Sequence, residues 1–160
     1  MKDSYEIQSL ILDYLEGPKI LEEALLGMSK NDMLKRPIEG KWSTLEVICH
    51  ITDMEIVYAD RIKRILAEDK PTMFGTDPNT FAKNLFYHDR EPTEELHLVY
   101  SIRNHIGKIL KQLKESDWNR IGIHSEAGEI TLLQIVKNIT LHIPHHVKFI
   151  KEKKEALNIK

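Results

Sequence analysis

Four stretches of this chain repeat apolar side chains every three or four residues, the spacing of helices that bury one face. The first covers about residues 5–27, with Ile7, Leu10, Ile11, Tyr14 and Leu15 on one side and Leu21, Ala24, Leu25 and Met28 continuing the stripe. Gly17-Pro18 falls in its middle and predicts two shorter pieces or a sharp kink. The second starts near Trp42, where Ser43 reads as the N-cap and Glu46 completes a capping box. Leu45, Ile48, Thr52, Ala59, Ile62 and Leu66 mark its face, and Pro71 ends it. The third follows Pro92-Thr93 and carries Leu96, Val99, Tyr100, Ile106, Ile109, Leu110 and Leu113. The fourth covers about residues 131–157, with Leu132, Ile135, Val136, Ile139, Ile143, Phe149 and Ile150. Residues 29–40 read as a connection with room for one helical turn. Residues 70–92 form a long link with a short helix at about 79–86, and residues 116–129 form a second link with a weak hairpin signal. No repeat or second domain interrupts the pattern, so residues 1–160 are expected to form one all-α domain, a bundle of four long helices.

Composition excludes several classes of function. Charged residues make up 30% of the chain and hydrophobic ones 41%, which is globular composition. The formal net charge of −2 comes without any basic stripe, so binding to a nucleic-acid backbone has no electrostatic support. No apolar run approaches the ~20 residues that span a bilayer. The first residues, Met1 to Glu6, carry acids and lack the apolar core of a signal peptide, and the lone Cys49 cannot form an internal disulfide. A cytoplasmic location is therefore expected.

The chemistry is concentrated in three histidines. His142 and His146 lie four residues apart, so on a helix they point the same way and can grip one metal ion. Both occupy the buried seam of the fourth helix, where Leu or Ile would otherwise pack. Two imidazoles buried there without partners would cost a few kcal/mol each; a shared metal removes that cost. The alternative is that both rings donate to backbone carbonyls or lie at the bundle mouth. His50, on the second helix, is the third candidate ligand. Three neutral imidazoles make an open metal site with room for a further ligand. Glu46 and Asp53 flank His50 on one helix face, and either could take the second ring N–H of a ligand histidine or accept a proton during the reaction. His145 points about a hundred degrees away from His146 and is expected outside the site. His88, His97, His105 and His124 lie on links or polar faces. Pro144 deprives the Thr140 carbonyl of its helical partner and can bend the helix between the two histidines. Motifs for zincin, di-iron carboxylate, phosphate-loop and Cys-x-x-Cys chemistry are absent. Cys49 reads as a packed small residue.

The run Gly40-Lys41-Trp42-Ser43-Thr44-Leu45-Glu46-Val47-Ile48-Cys49-His50-Ile51-Thr52-Asp53 resembles the Trp-Ser/Thr, Glu, His-Leu-x-Asp signature of the DinB/YfiT-like superfamily. The stretch from Gly128-Glu129-Ile130-Thr131-Leu132 into His142-Ile143-Pro144-His145-His146-Val147 resembles that superfamily's closing helix, departing from it at Pro144, where a polar residue is usual. The resemblance implies a four-helix bundle with an up-down-down-up path, often dimeric. It also implies a divalent metal, zinc or nickel, on His50, His142 and His146. Known relatives include transferases and isomerases that use a low-molecular-weight thiol and an electrophilic substrate; hydrolysis is the other chemistry such a site allows. A non-enzymatic stress or structural bundle is the alternative. In the enzyme reading, Phe74, Phe81, Phe86 and Tyr87 of the long link form a wall or lid over an apolar substrate; the equal alternative is that they simply pack over the bundle end. The near-encircling apolar surface of the second helix gives some support to a homodimer.

Overall fold

A computed structural model describes residues 4–159. Its long helices are α1 (Ser4–Leu25), α3 (Thr44–Ala67), α5 (Pro92–Leu110) and α6 (Leu132–Ala156). Two short helices, α2 (Lys30–Leu34) and α4 (Pro78–Asn84), lie in the first two links. Among the described residues there are also three short strands, β1 (Thr72–Met73), β2 (Ile121–His124) and β3 (Gly128–Thr131). The four-helix bundle is as expected. The three-stranded sheet is a small addition, and of it only the β2–β3 hairpin had any sequence signal.

In the bundle, α1 packs on α5 and α6, and α3 packs on the same two. Consecutive long helices α1 and α3 therefore sit diagonally. Lys154 of α6 donates to the carbonyl of Leu26, just past α1, so these two helices end together. Thr52 of α3 reaches the Glu95 carbonyl of α5 near both N-terminal ends, and β1, after α3, pairs in parallel with β2, after α5. The path is up-down-down-up. Two parallel neighbours, α3 and α5, need a connection that climbs back the length of a helix, which explains the long link at residues 68–91. That link covers α3: α4 and a 3₁₀ turn at Tyr87–Asp89 pack against it, as does α2. Residues 44–55 of α3 are consequently buried on every side within a single chain. The near-encircling apolar surface of this helix needs no second copy to explain it.

Local signals set the helix starts. Ser43 Oγ accepts from the Glu46 N–H at 3.1 Å, and the Ser43 N–H donates to Glu46 Oε2 at 2.7 Å. Thr131 caps α6 through the Gln134 N–H. The expected break at Gly17-Pro18 does not occur, because α1 runs through it. Pro18 leaves the Tyr14 carbonyl without a helical donor. Arg103 Nη1 supplies one from α5 at 2.7 Å. Gly17 makes room for it: a Cβ there would lie 2.0 Å from that same nitrogen. The dipeptide is a notch for a buried guanidinium and not a stop signal.

Candidate metal centre

His50 reaches the bundle interior from α3, four residues after Glu46 closes the Ser43–Glu46 cap that fixes the helix phase. His142 and His146 reach it from α6, which stays helical through Pro144. The Nε2 atoms of His50 and His142 are 3.1 Å apart, as are those of His142 and His146. One nitrogen from each ring falls within a sphere of contacts no wider than 4.8 Å. Metal–nitrogen bonds of about 2.0–2.1 Å at near-tetrahedral angles place donor atoms about 3.3 Å apart. The geometry therefore fits one small divalent cation.

The protonation states fit as well. Burial pushes His50 down to about 4, against a smaller opposing pull from the Asp53 charge. Burial, with the neighbouring rings adding to it, pushes His142 down to about 2 and His146 to about 3. All three are neutral at pH 7 and can present a lone pair. Without a cation, three facing nitrogens cannot satisfy one another, since a hydrogen bond pairs only one donor with one acceptor. The three Nδ1 atoms are also buried, and none has a hydrogen-bond partner.

That last fact corrects one expectation. Neither Asp53 nor Glu46 accepts the second ring N–H of a histidine. Asp53 instead receives the Tyr87 hydroxyl at 2.7 Å and Arg90 Nη1 at 2.9 Å, and so ties the 3₁₀ turn of the long link to α3. Its charge reaches His50 through space only. Glu46 takes the Ser43 N–H and both an Nη and the Nε of Arg36, the latter at 3.0 Å. Burial raises its pKa, but the Arg36 and Ser43 bonds outweigh burial and hold it below the usual carboxylate range.

The other sequence candidates are where the pattern placed them. His145 is exposed and meets His146 only edge-on, with ring centres 5.1 Å apart. His88, His97 and His105 are exposed. His124 Nδ1 accepts two backbone N–H groups in the β2–β3 turn. Burial raises the Cys49 thiol to about 12, so it is inert packing. Of the link aromatics, Tyr87 is fully buried and Phe81 partly so, whereas Phe74 and Phe86 are 75% and 72% exposed.

One cleft reaches the histidines and a second lies beside it; Trp42 lines both, its ring 5.3 Å from that of His50. One, of about 250 Å³, reaches His146 between Trp42, Val47 and Phe149. The other, of about 350 Å³, runs over Glu46 toward Phe86 and His88. Sequence reading missed the buried pair below the histidines, Arg103 and Glu55, both 0% exposed. The signal was present: each interrupts an apolar stripe, as the histidines do.

The comparisons with known proteins agree with this fold. A Bacillus licheniformis protein whose name proposes a metal-dependent hydrolase is 22% identical over 156 residues, covering 97% of this chain and 89% of its own. A similarly named Oceanobacillus iheyensis protein is 25% identical, covering 82% of this chain and 75% of its own. Among solved structures, Bacillus subtilis YfiT, described as a probable metal-dependent hydrolase with an unusual four-helix bundle topology, superposes with a TM-score of 0.92. That match has 20% identity and covers 100% of this chain and 92% of YfiT. A mycothiol-dependent maleylpyruvate isomerase superposes with a TM-score of 0.70 at 12% identity, over 89% of this chain and 59% of the isomerase. Residues 14–150 match the DinB superfamily, and the chain belongs to it.

Proposed function

We propose that this chain is a divalent-metal enzyme in which His50, His142 and His146 hold the ion and a small nucleophile takes an open position on it. The observation that carries the reading is the convergence of three neutral Nε2 atoms on one point. Zinc or nickel suits an all-imidazole donor set. Bound there, the metal would act as a Lewis acid, lowering the pKa of a thiol or of water.

Thiol transfer to an electrophile is the reaction these surroundings favour. Both nearby carboxylates are committed to other partners, so neither is placed as a ready general base. A thiol, with a pKa near 8.5 when free, needs less help to ionise than water does. In this reading Asp53 is a positioning residue, holding Tyr87 and Arg90 and with them the link that covers α3. Glu46 positions Arg36 beside the second cleft and fixes the start of the His50 helix. Trp42 and Phe149 supply apolar walls for the electrophile. Hydrolysis is the second reading, supported by the names of the relatives and by the same open site.

The test is elemental analysis of protein purified without chelator, followed by an assay with a low-molecular-weight thiol, a model electrophile and added zinc or nickel. The reading expects one metal per chain, lost in His142→Ala and His50→Ala, and a rate well above that of the His50→Ala control. Metal-free protein with no gain over that control would sink it. Turnover of an ester in the absence of thiol would favour hydrolysis.

A further inference from the structure

The cleft beside His146 contains a charge that the three imidazoles do not explain. Lys153 continues the buried stripe Ile139, Ile143, His146, Ile150 and is itself only 2% exposed. A Met or Leu would fill that position without desolvating an ammonium. The ammonium has three N–H donors. One reaches the Phe149 carbonyl at 3.1 Å. The Phe149 ring is 6.0 Å away, at the outer limit of a cation–π contact. Among the described residues, no carboxylate pairs with it. Glu152 and, more weakly, Glu46 act on it at long range only, and the Glu46 oxygens are taken by Arg36 and Ser43. Lys41 and Glu152 also line the cleft, so two cations face one anion around it.

We infer that this cleft is a carboxylate-binding subsite, in which the Lys153 ammonium, assisted by Lys41, receives the anionic end of a short organic acid. The two unused N–H groups match the two oxygens of one carboxylate, whereas a phosphate dianion would call for more donors. Trp42, Val47 and Phe149 enclose the apolar body of the acid. The ammonium lies at the Phe149 carbonyl, one helical turn beyond His146 and about 4.5 Å further along the axis. The acid therefore places a group a few bonds from its carboxylate at the three imidazoles. The subsite names a substrate class, carboxylate-bearing electrophiles, and rests on the metal reading only for the reacting end.

The probes are 3-phenylpropanoate and its neutral isostere 3-phenylpropanamide, titrated calorimetrically into chelator-treated and zinc-loaded protein. The wild type should bind the acid at least about tenfold more tightly than the amide, the size of a hydrogen bond to a charged group. Lys153→Met should bring that ratio near one with amide affinity unchanged, and Lys153→Gln should do the same. Lys41→Gln should lower it by a smaller factor. The methionine variant retains the stem that fills the site, which protects its folding, and the glutamine variant gives an independent check. No saturable binding of the acid, or a preference that survives both Lys153 substitutions, overturns the subsite. A protein that takes up no zinc but retains the acid preference would sink the metal reading and leave the subsite standing.

Discussion

Two buried polar clusters lie one turn apart on α6 and are built in opposite ways. At Ile139, the Arg103 guanidinium is enclosed by all four long helices. It gives two N–H groups to Glu55 Oε1, at 2.6 and 3.0 Å, and one each to the carbonyls of Tyr14 and Ile139, at 2.7 and 2.8 Å. Its face also lies 4.5 Å from the Tyr14 ring centre. At His142, three residues further on, the nitrogens face one another across a gap and the outer ring nitrogens have no partner. In the first cluster the guanidinium finds all its acceptors within the protein, and only Glu55 Oε2 is left without a hydrogen bond. The second leaves its ring nitrogens without such partners and groups them where one cation could be held. A closed network fixes helix packing; an open one is poised for a ligand.

The sharpest way to break this contrast is to remove one partner of the closed cluster. Arg103→Leu strands the Glu55 carboxylate at 0% exposure and leaves the Tyr14 carbonyl without a donor. The expected loss is about 3–5 kcal/mol in urea unfolding, as for other broken buried pairs. A loss below about 1 kcal/mol would show that the guanidinium is dispensable to the packing.

The open cluster should respond to metal and not to truncation alone. With zinc at a hundred times its dissociation constant, the wild type should gain about 2.7 kcal/mol. His142→Ala should abolish that gain while costing the metal-free protein little, since it removes an unsatisfied ring. Equal zinc-induced stabilisation of wild type and variant would place the ion elsewhere. The metal-free wild type should also be sensitive to acid. The unfolded rings take up protons near pH 6.5, while burial keeps the folded rings neutral down to about 4 for His50 and lower for the other two. Because the unfolded state binds more protons, stability falls as pH drops below about 6.5. A Tm unchanged between pH 7 and pH 5, with zinc absent, would contradict the burial of these rings.

The sequence made the two clusters unequally visible. A histidine on an apolar stripe attracts notice because it is a metal ligand, and the Trp42–Asp53 run gave it a family context. Arg103 follows Val99 by four residues and precedes Ile106 by three, so it too sits on a stripe, as does Glu55 between Ile51 and Ile62. A single sequence does not show which turn of α3 faces which turn of α5, so two opposite charges on separate helices could not be matched. The helices themselves were legible because their periods are long and uninterrupted. Strand β1 was not, because two residues carry no period and its partner β2 is some fifty positions away. The committed hydrogen bonds of Asp53 and Glu46 were hidden for the same reason. Tyr87, Arg90 and Arg36 come from the links, whose paths periodicity does not report.

Smaller effects test the notch in α1. Gly17→Ala would ordinarily favour a helix, by up to about 1 kcal/mol. Here the new Cβ would meet Arg103 Nη1 and Cζ, at 2.0 and 2.9 Å, so a net loss of about 1–3 kcal/mol is expected. A gain would mean that the guanidinium is free to move.

Pro18→Ala separates two accounts of the same residue. If Pro18 were only a strained interruption of α1, its replacement should recover about 3 kcal/mol, the ordinary penalty of proline in a helix interior. The Tyr14 carbonyl, however, is already satisfied by Arg103, so the restored N–H adds a second donor to an oxygen that has one. Pro18 is also buried, and its ring packs where alanine leaves space. These terms offset the propensity gain, and the net change should stay within about 1 kcal/mol of zero. The double variant Arg103→Leu/Pro18→Ala then becomes informative. With the guanidinium gone, the alanine N–H is the sole donor to that carbonyl and should restore part of what Arg103→Leu lost. Strict additivity of the two changes would show that the proline and the arginine do not share the Tyr14 oxygen.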